Sequence, residues 1–445
     1  MNINYEFETI SAIATPLGMG GVGVVRISGD KAFEIASKMF SKQIFNAGKI
    51  HHGWVLEDEK KVDEVILLPF KNPNSYTGED VIEIQCHGGP KIVKKILDLT
   101  VKNGARLAQR GEFTKRAFLN KKLDLSQAEA VLDLIHAKTN NFAQKSANNL
   151  SGVLANEIKD IKSILFALYS RIIAAVDFPE DVVEPEYSYL SEQINDAIKK
   201  IDKILKNANA SNIMRQGIKI AIAGCPNAGK SSLFNALLNL ERAIVTDIPG
   251  TTRDIIQETL DIDGIPATLI DTAGIRDDVN VDKVEAIGIE YTKTCVENAD
   301  LILFLFDWSK GFDANDALIY EMIESKPHIK IASKADLADI PNPEAINISS
   351  KTGYNIEELK EKIKETVLDK NALETEFVTN QRQEECLKQS KEALINALNA
   401  TEAMELQDLI SIDIKTALMS LDEITGEVIT DEILENIFDN FCIGK

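Results

Sequence analysis

What this chain lacks narrows its reading first. No apolar run is long enough to cross a membrane: Leu301–Phe306 is brief, and Arg171 interrupts the stretch from Ile164 to Val176. The first residues, Met1–Glu6, carry neither the basic start nor the apolar run of a signal peptide. The five cysteines, Cys86, Cys225, Cys295, Cys386 and Cys442, are odd in number and scattered, with no C-x-x-C pair. That spacing argues against a disulfide framework or a zinc ribbon and suits a reducing compartment. No internal repeat and no low-complexity tract occurs. These absences predict a cytoplasmic protein with no membrane association.

Positive charge is also scarce, 49 Lys and Arg against 70 Asp and Glu, a net charge of −21. The deficit is uneven. Residues 1–120 hold 16 basic and 14 acidic side chains, whereas residues 376–445 hold 5 and 15. A tail so acidic repels a polyanion, so any nucleic acid must be drawn by a local patch or a basic partner. At 445 residues the chain exceeds one compact core, and its 44% hydrophobic and 27% charged content is ordinary for a globular protein of two or three domains.

What is present is organised around Gly224–Ser231, which reads G-x-x-x-x-G-K-S. Ile218–Ala223 before it alternates like a buried strand, and Ser232–Leu240 after it has helical spacing. In that context backbone N–H groups point at phosphates and the helix dipole adds positive potential. Asn227, Ala228, Gly229, Lys230, Ser231 and Ser232 are the candidate nucleotide contacts, with Lys230 on the outer phosphates and Ser231 on Mg²⁺. Downstream, Asp271-Thr-Ala-Gly274 follows the strand Ala267–Ile270 and matches D-x-x-G. There Asp271 would hold Mg²⁺ through water, and the Gly274 N–H would sense the γ-phosphate. Asp263-Gly264 between two strand-like runs is a hairpin signal. Thr246–Asp254 lies where a GTPase keeps its first switch. Ser333-Lys-Ala-Asp336 resembles the guanine motif N-K-x-D, with Asp336 on the base edge, Lys334 on the ring face and serine in place of asparagine. Ser333 therefore bears on affinity more than on specificity. Ser349 and Ser350 fit the last guanine loop. Five such motifs in order at strand ends point to GTP over ATP. Ile275 stands where many GTPases place a water-orienting glutamine, so another group must supply that contribution.

In chain order, residues 1–118 read as an α/β domain, with strands at Thr9–Ala14, Val22–Ile27 and Val81–Gln85 and helices at Lys31–Met39 and Lys91–Asn103. The glycines of His87-Gly-Gly-Pro90 suit either a ligand approach or a simple turn. Residues 119–215 are helical, with a break at Asp177–Asp181; 216–373 form the nucleotide-binding region; 374–445 are helical again. A strand-rich insert between two helical stretches suggests that the stretches pack together as one discontinuous domain.

Several longer motifs identify a family. They are Ala14-Thr-Pro16, Gly20–Gly29, Ser75–Glu83, His87–Pro90, Gly111–Thr114, Leu123–Glu129, Asp177–Pro179, Ile424–Glu427 and the terminal Phe441-Cys-Ile-Gly-Lys445. The chain resembles the tRNA-modification GTPases of the MnmE (TrmE) family over essentially its full length. The resemblance implies a multidomain α/β and all-α protein: a Ras-like P-loop GTPase domain inserted in a helical domain, preceded by an α/β folate-binding, aminomethyltransferase-like domain. It implies a homodimer through the N-terminal domains and a heterotetramer with an FAD-containing partner, MnmG (GidA). It also implies installation of an aminomethyl-type group at carbon 5 of the wobble uridine of certain tRNAs, from 5-formyl-tetrahydrofolate or a related tetrahydrofolate.

By motif, Asn227 would coordinate K⁺ with backbone oxygens near Thr246, Ile248 and Thr251, while Ser231 and Thr252 would bind Mg²⁺. Glu285 matches the glutamate that positions water; without the resemblance it reads as a solvated helix carboxylate. Arg26, Glu83, Lys122 and Lys445 fall on folate positions, a carboxylate suiting a pterin edge and cations suiting carboxylates. Cys442 reads either as a nucleophile or thiol near the carbon transfer, or as a small apolar residue packed at the C-terminus. A regulatory GTP switch and a ribosome-assembly GTPase are the competing functions, the latter lacking the folate region and the terminal motif.

Overall fold

The computed structural model describes residues 8–42, 48–240, 257–271, 298–368 and 375–445, except the side chains of residues 239, 240, 257, 258 and 271. Contacts gather the chain into two units. The first is Met1–Leu132 with Asn149–Lys162 and Lys415–Lys445, and the second is Asp133–Asn148 with Ser163–Ile414.

The first unit is built on a sheet of β1 (Ile10–Ile13), β2 (Gly20–Ser28), β3 (His51–Glu57), β4 (Lys60–Phe70), β5 (Val81–Gly88) and β6 (Arg106–Leu107). Their order is β3-β4-β5-β2-β1-β6, antiparallel except for the parallel pair β1–β6. Alternation in β2 and β5 sends Val25, Ile27, Ile82 and Ile84 to one face, where α1 (Ala32–Lys38) and α2 (Pro90–Lys102) cover them with Ile35, Val93, Ile96 and Leu99. Each such side chain contributes about 1.5–3 kcal/mol by leaving water. Elsewhere in the unit, α3 (Glu112–Leu119) brings Phe113 to Ile10, Ala12 and Ala108. Gly88 belongs to close packing: a Cβ there would lie 2.4 Å from the Gly20 carbonyl oxygen.

The strands β3 and β4 stand where the sequence shows no conventional hairpin signal. Their turn places Asp58 (φ 48°) and Glu59 (φ 67°) in the left-handed region without a glycine. The helical sequence from 111 to 215 resolves into α3, α4 (Leu125–Ile135), α5 (Asn140–Leu150), α6 (Val153–Asp177), α7 (Tyr187–Leu205) and α8 (Ala208–Gln216).

In the second unit a sheet follows from β7 (Ile218–Gly224), β8 (Gln257–Ile262), β9 (Ile265–Asp271), β10 (Leu301–Asp307), β11 (His328–Ser333) and β12 (Ile346–Asn347), ordered β12-β11-β10-β7-β9-β8. Only β8 pairs antiparallel. The continuous apolar run of β10, with Leu301 to Leu305 each 0% exposed, is what a strand buried on both faces requires. Helices α9 (Lys230–Leu240), α10 (Ala314–Ile323) and α11 (Ile356–Val367) accompany this sheet. The chain ends with α12 (Gln381–Glu402), α13 (Gln407–Thr425) and α14 (Asp431–Phe438). The 3–4 stripe Leu190, Ile194, Ala197, Ile201 and Ile204 of α7 is buried. Helices α7 and α12 pack together, with Lys391 Nζ 2.6 Å from Asp202. Among the described residues, no helix is long and apolar enough to cross a membrane.

Candidate functional site

Two sites emerge, one in each unit. In the first, antiparallel pairing of β2 with β5 sets Arg26 opposite Glu83. The guanidinium donates from Nε to Glu83 Oε1 at 2.8 Å and lies 5.3 Å and 5.5 Å from the ring centroids of Tyr76 and Phe113. The charges of Arg26 and Glu83, both folate positions by the resemblance, thus face each other across the strand pair. Glu83 also lines a cavity of about 260 Å³ with Phe70, Asn74, Ser75, Tyr76 and Val81. That combination of apolar walls and one carboxylate suits a flat heterocycle bearing N–H donors. Lys122 Nζ donates to the Pro73 carbonyl at 3.0 Å, next to Asn74 of the cavity.

The C-terminal tail docks on the same elements. Arg26 Nη1 donates to Gly444 O at 3.4 Å, and Phe113 N–H donates to Lys445 O at 3.1 Å. Gly444 is at φ 98°, and a Cβ there would come within 2.1 Å of Ile13 O, so only glycine permits this seating. Phe441 is buried and Cys442 is exposed. The tail is anchored by Phe441 and Gly444, which overturns the reading of Cys442 as a packed apolar residue.

The second site forms where β7 lies between β9 and β10, connections leaving to both sides of it. Gly224, at φ 155°, crosses Leu305 so closely that a Cβ would lie 2.1 Å from its carbonyl oxygen. Ala228 is buried, while Asn227, Ser231 and Ser232 are exposed along the loop and the first turn of α9. Lys230 Nζ donates to Gly224 O and Cys225 O, each at 2.9 Å. The pairing of Ile222 with Asp271 brings the Asp271 backbone to the C-terminal end of β9, beside β7. Thr246, Ile248, Thr251, Thr252, Gly274 and Glu285 lie outside the described residues.

The loop after β11 is tied to the Walker loop by the Ser333 hydroxyl. Ser333, 3% exposed, donates to Ala228 O at 2.6 Å and is 3.0 Å from Phe306 O. Serine thus makes the tether expected of the asparagine it replaces. We expect Ser333→Ala to leave the buried Ala228 carbonyl short of its hydroxyl donor, costing about 1–3 kcal/mol. In a fluorescent-GDP titration that is about one to two orders of magnitude in affinity. Unchanged affinity would show that the tether is idle.

Lys334, at φ 57°, pairs with Asp307 at 2.6 Å, a partner the sequence reading did not select. Burial alone would raise the Asp307 carboxyl, but hydrogen bonds from Lys334 and Ser309 hold it below its usual range. Its signal in the sequence was an aspartate ending a strand that neighbours the Walker strand. Asp336 sits in the short 3₁₀ turn Ala335–Leu337. Ser349 is buried and its hydroxyl accepts from Thr352 N–H at 3.3 Å. Its side chain therefore shapes the loop, leaving Ser350 as the half-buried serine of the pair.

The family profile described as MnmE helical domain matches residues 125–442, and that described as GTP-binding protein TrmE N-terminus matches 9–122. The tRNA modification GTPase MnmE of Caldicellulosiruptor saccharolyticus is 43% identical, covering 99% of this chain and 100% of its own. That of Thermoanaerobacter pseudethanolicus is 44% identical over the same shares. This chain belongs to the MnmE family. A crystal structure of Aquifex aeolicus Era bound to GDP·AlF4⁻ is 27% identical and covers 40% of this chain and 67% of its own, at a TM-score of 0.28.

For an MnmE-family chain, the residues missed from sequence are those that hold the selected ones. Tyr76 and Phe113 present their rings to Arg26, and Asp307 holds Lys334. Each depends on a pairing distant in sequence.

Proposed function

We propose that this protein is a K⁺-dependent GTP hydrolase that works with an FAD-containing partner to install an aminomethyl-type group at carbon 5 of the wobble uridine of certain tRNAs. The observation that carries this reading is full-length likeness to proteins named tRNA modification GTPase MnmE, at 43–44% identity. The geometry supports it on both sides. Ser333 joins a Walker loop to a loop carrying Lys334 and Asp336, the arrangement a guanine nucleotide needs at its phosphate and base ends. Asp336 would accept the two guanine-edge donors and Lys334 would cover the ring. Lys230 would exchange its two loop carbonyls for phosphate oxygens, and Ser231 with Thr252 would hold Mg²⁺.

The proposed K⁺ ligands are the Asn227 side chain and backbone oxygens near Thr246, Ile248 and Thr251. Asn227 is exposed on the loop at φ 65°, and its amide oxygen is a hard donor suited to an alkali cation. Bound K⁺ supplies positive charge at the developing phosphate charge, where Ile275 can supply none, while Glu285 would orient water. We expect hydrolysis to be about tenfold or more faster in K⁺ than in Na⁺, given that an added cationic side chain is worth roughly three to five orders of magnitude elsewhere. Equal rates in a phosphate-release assay would refute the K⁺ role.

In the N-terminal unit, Glu83 in its cavity would bind a pterin edge, with Lys122, Lys445 and Arg26 serving a tetrahydrofolate's carboxylates. Arg26 can do so only by sharing or releasing Glu83. Cys442, exposed on a tail seated beside Arg26, would stand near the transferred carbon. The packing of α7 on α12 supports a helical domain interrupted by the GTPase domain, with boundaries at 1–118, 119–215, 216–373 and 374–445. Exposed Leu17, Met19 and Val22 supply apolar surface for homodimerisation through the N-terminal domain. With a net charge of −21, tRNA would be held mainly by the partner, in the cytoplasm.

A further inference from the structure

Behind the Walker loop lies a cluster that nucleotide binding does not use. Asp313 caps α10, its Oδ1 accepting from the N–H groups of Asn315 at 2.8 Å and Asp316 at 2.9 Å. Asp316 returns the capping box, its Oδ2 accepting from Asp313 N–H at 3.3 Å. Each carboxylate therefore keeps one oxygen in reserve. That of Asp316, Oδ1, is buried with no N–H or O–H donor, on a residue only 4% exposed, and the Cys225 thiol hydrogen-bonds to this carboxylate. A carboxylate oxygen in that condition is costly unless something cationic or protic meets it.

Cys225, the residue after Gly224, faces this pair. Its sulfur and one carboxylate oxygen from each aspartate lie within 4.8 Å of one another. We propose that Cys225, Asp313 and Asp316 form a site for a thiophilic divalent cation of the zinc class, joining the second residue of the Walker loop to the N-terminus of α10.

The donor set selects the metal. One sulfur and two oxygens give three protein ligands and leave a fourth position for water, which suits zinc. Mg²⁺ and Ca²⁺ prefer oxygen alone. The N-terminus of α10 opposes a cation with roughly half a charge, and two carboxylates and a thiolate outweigh it. Binding replaces the thiol proton, which leaves to solvent as the metal–sulfur bond forms; no electron is transferred. Because Lys230 leans on Cys225 O, the ion would stiffen the carbonyl that this lysine uses.

The test uses full-length protein with Co²⁺ as spectroscopic probe and Zn²⁺ in competition with a chromophoric chelator. Expected is a near-ultraviolet sulfur-to-cobalt band saturating at about one equivalent and erased by Zn²⁺. The band should vanish in Cys225→Ser, and Zn²⁺ affinity should fall about tenfold or more in Asp316→Asn. Asp313→Asn, at an exposed position, should lower it likewise and covers the case in which Asp316→Asn does not fold, judged by circular dichroism. Absence of the band in the wild type, its persistence in Cys225→Ser, or unchanged affinity in folded aspartate variants would overturn the proposal.

Discussion

Arg116→Met is expected to destabilise the N-terminal unit by about 3–5 kcal/mol, the cost of breaking a buried ion network by removing one partner. Arg116 is 1% exposed. Its Nη1 donates to both Glu79 oxygens, at 3.2 Å and 3.1 Å, and its Nη2 donates to Glu112 Oε1 and Glu8 O, each at 2.8 Å. Methionine fills much of the volume but leaves Glu79 and Glu112 charged and close. Urea unfolding followed in the N-terminal unit checks the value; a change below about 1 kcal/mol would mean that the remaining donors suffice.

The same network sets an acid limit. Burial alone would raise the Glu112 carboxyl, but hydrogen bonds from Arg106, Gln109 N–H and Arg116 hold it at about 2, against an ordinary 4.5. Because the folded value is the lower one, its stabilisation is complete above about 4.5 and lost as pH falls toward 2. Arg116→Met should move that loss to higher pH.

The largest expected functional effect is at Asp336. Its carboxylate is the only proposed acceptor for the paired N–H donors of guanine. Asp336→Asn presents a donor where two acceptor contacts are needed, and a site built to hydrogen-bond one base rejects another by roughly 10⁴-fold. The variant should lose GTP turnover by about that factor and gain turnover of xanthosine triphosphate, whose ring carbonyl accepts from the new amide. Steady-state rates with both nucleotides measure this. Retained GTP preference would remove Asp336 from the base site.

The Walker loop and the Ser333–Asp336 loop were legible as elements because their sequence signals are local. A strand end, a glycine turn and a helix start are adjacent in sequence, and so are Lys334 and Asp336. The tether made by Ser333 was less so, since its value depends on Ala228 and Phe306 lying within reach. The β3–β4 hairpin was missed because Asp58 and Glu59 adopt positive φ without glycine. The Arg26–Glu83 pair was hidden for another reason. Both residues were selected, but their mutual contact follows from the β2–β5 register, which is a property of the folded sheet. The exposure of Cys442 likewise follows from how Phe441 and Gly444 seat the tail.

The most direct measurement of the central claim is reconstitution. The chain is combined with the FAD-containing partner, GTP, K⁺, a tetrahydrofolate one-carbon donor, glycine or ammonium, and unmodified tRNA, followed by mass analysis of the nucleosides. The expected result is an aminomethyl-type addition at carbon 5 of the wobble uridine that requires both GTP hydrolysis and the folate. Equal modification with a non-hydrolysable GTP analogue, or without the folate, would contradict the account.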